Sequence, residues 1–237
     1  MAIKQIYSLI EYDESVKTMD AGADHIGLVP MQHGGVPAHR VPIERVHRIF
    51  DECKRRGVVS VAIMLTNDPD EMIELAREVR PDILHVAGDG YAADEAFAAR
   101  LREAVPGIKL MQAVLVDDES AIDRAKTYAK YCDFILTDSG LAPDTGIGAS
   151  GLTHDWSIDA RIVAECGKPV IMAGGLGPDN VAEAILTCKP YGVDSLTKTS
   201  IKYDGGRMEK DIELVRRFCA NADAASAQLA AEAGERV

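Results

Sequence analysis

Two adjacent glycines, Gly174 and Gly175, break an apolar run at 169–173, and Gly177-Pro178 then leads into a helical pattern. Glycine lets backbone amides approach an anion without interference from a Cβ, and a helix start adds unpaired N–H groups, so this junction suits a phosphate. Thr197 and Lys198 close the last apolar run. A lysine there can hold phosphate as a point charge, serve as an amine nucleophile if burial lowers its pKa, or simply stand in solvent. Gly205-Gly206 would add a third wall to the same site. His33, His85 and His154, with Asp138, form a second set, because imidazoles and carboxylates are the ligands of metal sites that stabilise enediolates. No two of these histidines share a helix at i, i+4, and no resident metal is expected.

Such residues need a frame that brings them together. Short apolar runs rich in Val, Ile and Leu occur at 3–9, 25–30, 59–65, 83–87, 109–116, 134–137, 169–173 and 192–197. Most are continuous rather than alternating, as in strands covered on both faces. Between them lie helical patterns at 13–21, 42–56, 69–79, 93–104, 119–131, 158–166, 178–188 and 208–221. Pro69 and Pro178 fit a first helical turn, and Gly22 and Gly167 fit helix ends. Eight strand–helix units in one chain predict an α/β fold of the (β/α)8 TIM-barrel type, since an open doubly wound sheet uses about five or six strands. Residues 1–221 then form the barrel, and 222–237 an extension of the last helix or a frayed tail. In such a barrel the chemistry sits at strand C-terminal ends and the loops after them, which selects Tyr7 and Ser8, His33 and Arg40, Thr66 and Asn67, His85 and Asp89, Gln112, Asp138 and Ser139, and Thr197 and Lys198.

Composition is compatible with one large core: of 237 residues, 47% are apolar and only 5% aromatic. The net charge of −12 and the lack of any basic run argue against a nucleic-acid or anionic membrane surface. Five scattered cysteines without a CxxC pair point to reduced thiols, and neither a signal peptide nor a long apolar span is evident, so a cytoplasmic protein is expected.

Several segments together resemble the phosphoribosylanthranilate isomerase family. The opening QIYSLIEYDESVKTMDAGADHIGLVP is similar to that family's first strand, with its KICG motif, helix and GAD turn. ILTDSG at 135–140 resembles its sixth strand with an aspartate, and THDW at 153–156 its FDW. PVIMAGGLGPDNVAEAI and KPYGVDS are similar to its LAGGL-P-NV and RPYGVDVSSGVE segments, and this last pair is the specific part. The likeness spans nearly the whole chain in the right order.

The resemblance implies an Amadori rearrangement: a phosphorylated ribosylamine is opened by an acid at the ring oxygen, and a base then removes the proton from C2. Two opposed titratable groups suffice, with no metal or organic cofactor. Asp138 falls on the family's acid position, and Arg40 lies near the residue that contacts the substrate's aromatic carboxylate. The base position is altered. Where the family has KICG, this chain has Gln5, Ile6, Tyr7 and Ser8, and phenol is a poorer base than a thiol at neutral pH by roughly 2 kcal/mol unless its site stabilises phenolate. QLHG becomes HVAG at 85–88, a glycine-rich segment becomes the longer 144–151, and DVSSG becomes Asp194-Ser195-Leu196-Thr197-Lys198.

The expected protein is therefore an isomerase of a phosphorylated sugar derivative, with Asp138 and Tyr7 catalytic and with Arg40, His85, Gly174, Gly175, Thr197 and Lys198 binding substrate. A homodimer is compatible with this reading. The alternatives are a metal-dependent phosphosugar epimerase or lyase on the same barrel and a phosphosugar binder without turnover.

Overall fold

The computed structural model describes residues 1–31, 39–88, 90–142, 146–147, 155–204 and 207–234. Eight parallel strands close on themselves: β1 (Ile3–Ile6), β2 (His25–Pro30), β3 (Val59–Met64), β4 (Ile83–Val86), β5 (Lys109–Leu115), β6 (Phe134–Asp138), β7 (Val170–Met172) and β8 (Gly192–Ser195). Closure is made by β1, which pairs with β8 through Gln5↔Asp194 and with β2 through Gln5↔His25. The helices are α1 (Tyr12–Asp20), α2 (Ile43–Arg56), α3 (Pro69–Val79), α4 (Glu95–Ala104), α5 (Ser120–Tyr128), α6 (Trp156–Glu165), α7 (Val181–Cys188) and α8 (Ile212–Gly234). This is the (β/α)8 barrel that the strand and helix patterns predict.

Alternation along each strand divides its residues between two cores. Ile6, Ile26, Leu84, Leu110, Ile135 and Val193 face the helices, whereas Val61, Ile63, Met111, Leu136, Ile171 and Tyr7 meet inside the barrel. Helix ends follow local chemistry: Asp68 caps α3 by accepting from the amides of Asp70 and Glu71, with Pro69 at the first helical position. Gly22 (φ +105°) and Gly167 (φ +75°) leave α1 and α6 in left-handed conformations that favour glycine.

Four expectations need correction. The pattern at 208–221 starts as Met208–Lys210, which pairs antiparallel with Ser200–Lys202 in a hairpin after β8, and the helix begins only at Ile212. α7 starts at Val181 rather than Pro178, because Asn180 folds back on the preceding loop. Thr197 and Lys198 do not end β8: they form a 3-10 turn, Thr197–Thr199. β1 stops at Ile6, so Tyr7 lies just beyond the ladder. α8 continues to Gly234 and is tied to the start of the chain, where the amide of Ala2 donates to Ser226 Oγ at 2.9 Å and Lys4 Nζ to Asp223 at 2.8 Å.

Candidate active site

Past the end of β1 the chain turns at Ser8, whose φ of +66° is one that L side chains rarely adopt. Tyr7, just before it, is buried with its ring against Gly27 of β2, where an added Cβ would stand 2.1 Å from Cδ1. Only glycine in β2 leaves room for that ring. The Tyr7 hydroxyl lies 2.8 Å from Nδ1 of His85, which reaches it from β4. Burial alone drives the His85 pKa down to about 3, so the imidazole is neutral. Burial raises the Tyr7 phenol well above its ordinary value, and the carboxyls of Asp194 and Asp138 push the same way. The phenol therefore keeps its proton, and the contact joins two neutral groups. Nε2 is buried and has no hydrogen-bond partner among the described residues.

A polar chain runs beneath this pair. Nδ1 of buried His25, whose pKa burial lowers to about 4, lies 3.1 Å from Gln5 Oε1, and Gln5 Nε2 donates to Asp194 Oδ1 at 3.3 Å. Burial, reinforced by Asp138, raises the Asp194 carboxyl well above the usual carboxylate range, against the hydrogen bond from Gln5. Lys210 of the hairpin is buried as well. Its Nζ donates to Leu196 O at 3.0 Å and to Ser200 Oγ at 2.8 Å, and burial lowers its pKa to about 8.

Asp138 is the last residue of β6 and is half-buried. Its carbonyl accepts from Val116 N, which continues the β5–β6 ladder, and its Oδ1 accepts from Ser139 N at 2.7 Å. The Asp138 carboxyl contributes to the raised pKa of both Tyr7 and Asp194. Next to β6 lies β7, and beyond it the glycine loop. Gly174 and Gly175 have φ of +86° and +64°, and their amides make no hydrogen bond among the described residues. The loop is pinned elsewhere: Asn180 Nδ2 donates to Gly175 O at 3.2 Å, Gly177 N to Asn180 Oδ1 at 2.8 Å, and Ser195 Oγ to Leu176 O at 2.7 Å. A Cβ at Gly177 would meet Lys198 Cβ at 2.5 Å, so the glycine loop and the turn carrying exposed Lys198 and half-buried Thr197 are in contact.

Tyr7 and His85 thus come together, and the loop that carries Gly174 and Gly175 meets the turn of Thr197 and Lys198 through Gly177. Arg40 stands across β1 from the glycine loop, on a two-residue strand whose register with β2 is Val29↔Arg40. Gln112 faces the helices, where it accepts from Ala93 N at 2.9 Å, and is structural. His33, Asp89, His154 and Gly205-Gly206 lie outside the described residues, as does most of 144–151. Gly27, Gln5, Asp194 and Lys210 belong to the site as well. Gln5 and Asp194 carry a period-two signal, being polar at inward positions of apolar strands, whereas Lys210 sits in a stretch that reads as helix.

Residues 14–221 match the model of the N-(5'phosphoribosyl)anthranilate (PRA) isomerase family. The chain belongs to this family. The N-(5'-phosphoribosyl)anthranilate isomerase of Haloferax volcanii is 36% identical over 205 residues, covering 86% of each chain. Among solved structures, monomers generated from the dimeric phosphoribosylanthranilate isomerase of Thermotoga maritima superpose with a TM-score of 0.72 at 22% identity, over 94% of this chain and 100% of that one. A phosphoribosyl anthranilate isomerase in complex with reduced 1-(o-carboxyphenylamino)-1-deoxyribulose 5-phosphate gives a TM-score of 0.74 at 21% identity, over 94% and 100%. At these identities the structural likeness shows the shared barrel.

Proposed function

We propose that this chain catalyses the Amadori rearrangement of N-(5'-phosphoribosyl)anthranilate, an aldose-to-ketose isomerisation. The observation that carries the reading is the pairing of a glycine loop, whose amides at 174 and 175 have no partner among the described residues, with Lys198 packed on its Gly177, one strand away from Asp138. Those amides and the ammonium hold the phosphate, with the Thr197 hydroxyl next to them. Asp138, as an acid, gives its proton to the ribose ring oxygen while the C1–O bond breaks and the anthranilate nitrogen lone pair forms the C=N bond. Arg40 offers a planar fork to the anthranilate carboxylate. His85 acts through Tyr7, as a positioning residue that fixes the direction of the phenol O–H. The residues used are all supplied by this chain, so neither metal nor organic cofactor enters the proposal.

The test is direct. N-(5'-phosphoribosyl)anthranilate generated in the cuvette should be consumed by the purified chain and not by its Asp138→Asn variant. Absence of turnover by the unmodified chain would reject the reading, and saturable binding of a phosphate ester under the same conditions would identify a binder without turnover. A homodimer is part of the proposal, with the dimeric T. maritima protein as precedent, and light scattering on the purified chain tests it. So is a cytoplasmic location, which the five free and buried cysteines support.

A further inference from the structure

We infer that Asp138 performs both proton transfers of the isomerisation and that the Tyr7–His85 pair is a hydrogen-bonding support rather than the carbon base. The inference rests on the isomerase reading above. For the pair to remove a proton from C2, it would have to begin as phenolate or end as imidazolium. Phenolate at residue 7 would be buried in the barrel with the Asp138 and Asp194 carboxyls acting on it. Imidazolium at residue 85 would sit among Ile63, Ala87 and Met111 with no counter-charge among the described residues. Neither ion is compensated, and a buried uncompensated charge is among the costliest features a protein can hold. The 2.8 Å contact, the close seat of the ring against Gly27 and the burial of both side chains also deny the pair the freedom to turn toward a substrate.

Asp138 meets the requirement that the pair fails. It is half-buried at the strand end, and the amide of Ser139 supports its carboxylate form. After protonating the ring oxygen it is a carboxylate beside an iminium, a pairing that acidifies the C2 proton. It then takes that proton: the C2–H electrons form the C1=C2 bond, the C=N pair returns to nitrogen, and Asp138 is an acid again. The enaminol so formed tautomerises to the ketose.

Turnover of N-(5'-phosphoribosyl)anthranilate by the full chain and by Tyr7→Phe, His85→Gln and Asp138→Asn tests this, with thermal melts to confirm folding. The expected result is a loss in kcat/KM of about tenfold or less for either member of the pair and of about 1,000-fold or more for Asp138→Asn. A folded Tyr7→Phe or His85→Gln that falls as far as Asp138→Asn overturns the inference and leaves the isomerase reading intact. So does a collapse of the same size in His33→Gln, Asp89→Asn or His154→Gln, which would identify a separate base, or an Asp138→Asn variant that stays active. An inactive parent chain rejects the isomerase reading itself, and this inference with it. His85→Gln keeps the test decisive if Tyr7→Phe fails to fold.

Discussion

On the β7–β8 side of the mouth, the amides of Gly174 and Gly175 have no hydrogen bond among the described residues and Lys198 packs on Gly177 of the same loop, whereas on the β1–β4 side a phenol and an imidazole are closed on each other. The first side offers main-chain groups that any sequence with glycines at these positions would present. The second side works through side chains, and there the KICG pattern has become Gln5, Ile6, Tyr7 and Ser8. A barrel can therefore keep its anion anchor while the residues around the reacting carbon change, because the two sides draw on different kinds of atoms. The changes on the second side also depend on one another. Tyr7 requires Gly27, and Gln5 donates to the buried Asp194 carboxyl, whose pKa burial raises.

The comparison can be broken most sharply at Gly27. Gly27→Val would drive a side chain into the Tyr7 ring and should cost about 3 kcal/mol of stability in chemical denaturation. Combined with Tyr7→Ala it should cost less than the sum of the two single changes, and strict additivity would show that the ring and the glycine are not coupled. At the anchor, Gly175→Val places a β-branched residue at φ +64° and should raise KM about 100-fold, or roughly 2.7 kcal/mol, with a smaller change in kcat. An effect confined to kcat would remove the glycine loop from substrate binding.

A third expectation concerns pH. The folded-state pKa of Asp194 is raised above its unfolded value, so the carboxyl contributes most favourably below the unfolded value and costs stability as pH rises toward the folded one. Asp194→Asn has no proton to gain. Its stability relative to the parent should therefore increase by up to about 1.4 kcal/mol per pH unit between pH 5 and 7, measured as a difference in denaturation free energy. A flat difference would mean that Asp194 is ionised. The smallest effect is expected at Ser8. Ser8→Gly relieves a left-handed conformation and should stabilise by about 1 kcal/mol or less, whereas Ser8→Val should destabilise.

Much of the frame is legible in the sequence because buried parallel strands must be apolar on both faces. The runs at 25–30 and 59–65 nearly coincide with β2 and β3, and Asp68-Pro69 marks the start of α3. The hairpin at 200–210 is not legible, since Met208–Lys210 and the helix that follows share one periodic pattern and the strands are short. The misplacement of Lys198 has a related cause: Leu196 and Thr197 extend the apolar run in composition, but the ladder with β1 ends at Ile6↔Ser195. In the site, Gly174 and Gly175 are visible because a paired glycine before a helix is rare without a backbone reason. The partnership of Tyr7 with His85 is not visible, because residues 78 positions apart meet only once the barrel has closed. Lys210 is hidden for the same reason, its neighbours Leu196 and Ser200 lying on the other side of the hairpin.

Rearrangement of the substrate at Asp138 is the step on which everything else depends. The measurement is the steady-state conversion of N-(5'-phosphoribosyl)anthranilate by the purified chain beside its Asp138→Asn variant, with binding of a phosphate ester followed in both. Conversion by the parent chain, lost by about 1,000-fold or more in a variant that still binds the ester, is the predicted result. Binding without conversion in the parent, or equal conversion in both, would contradict it.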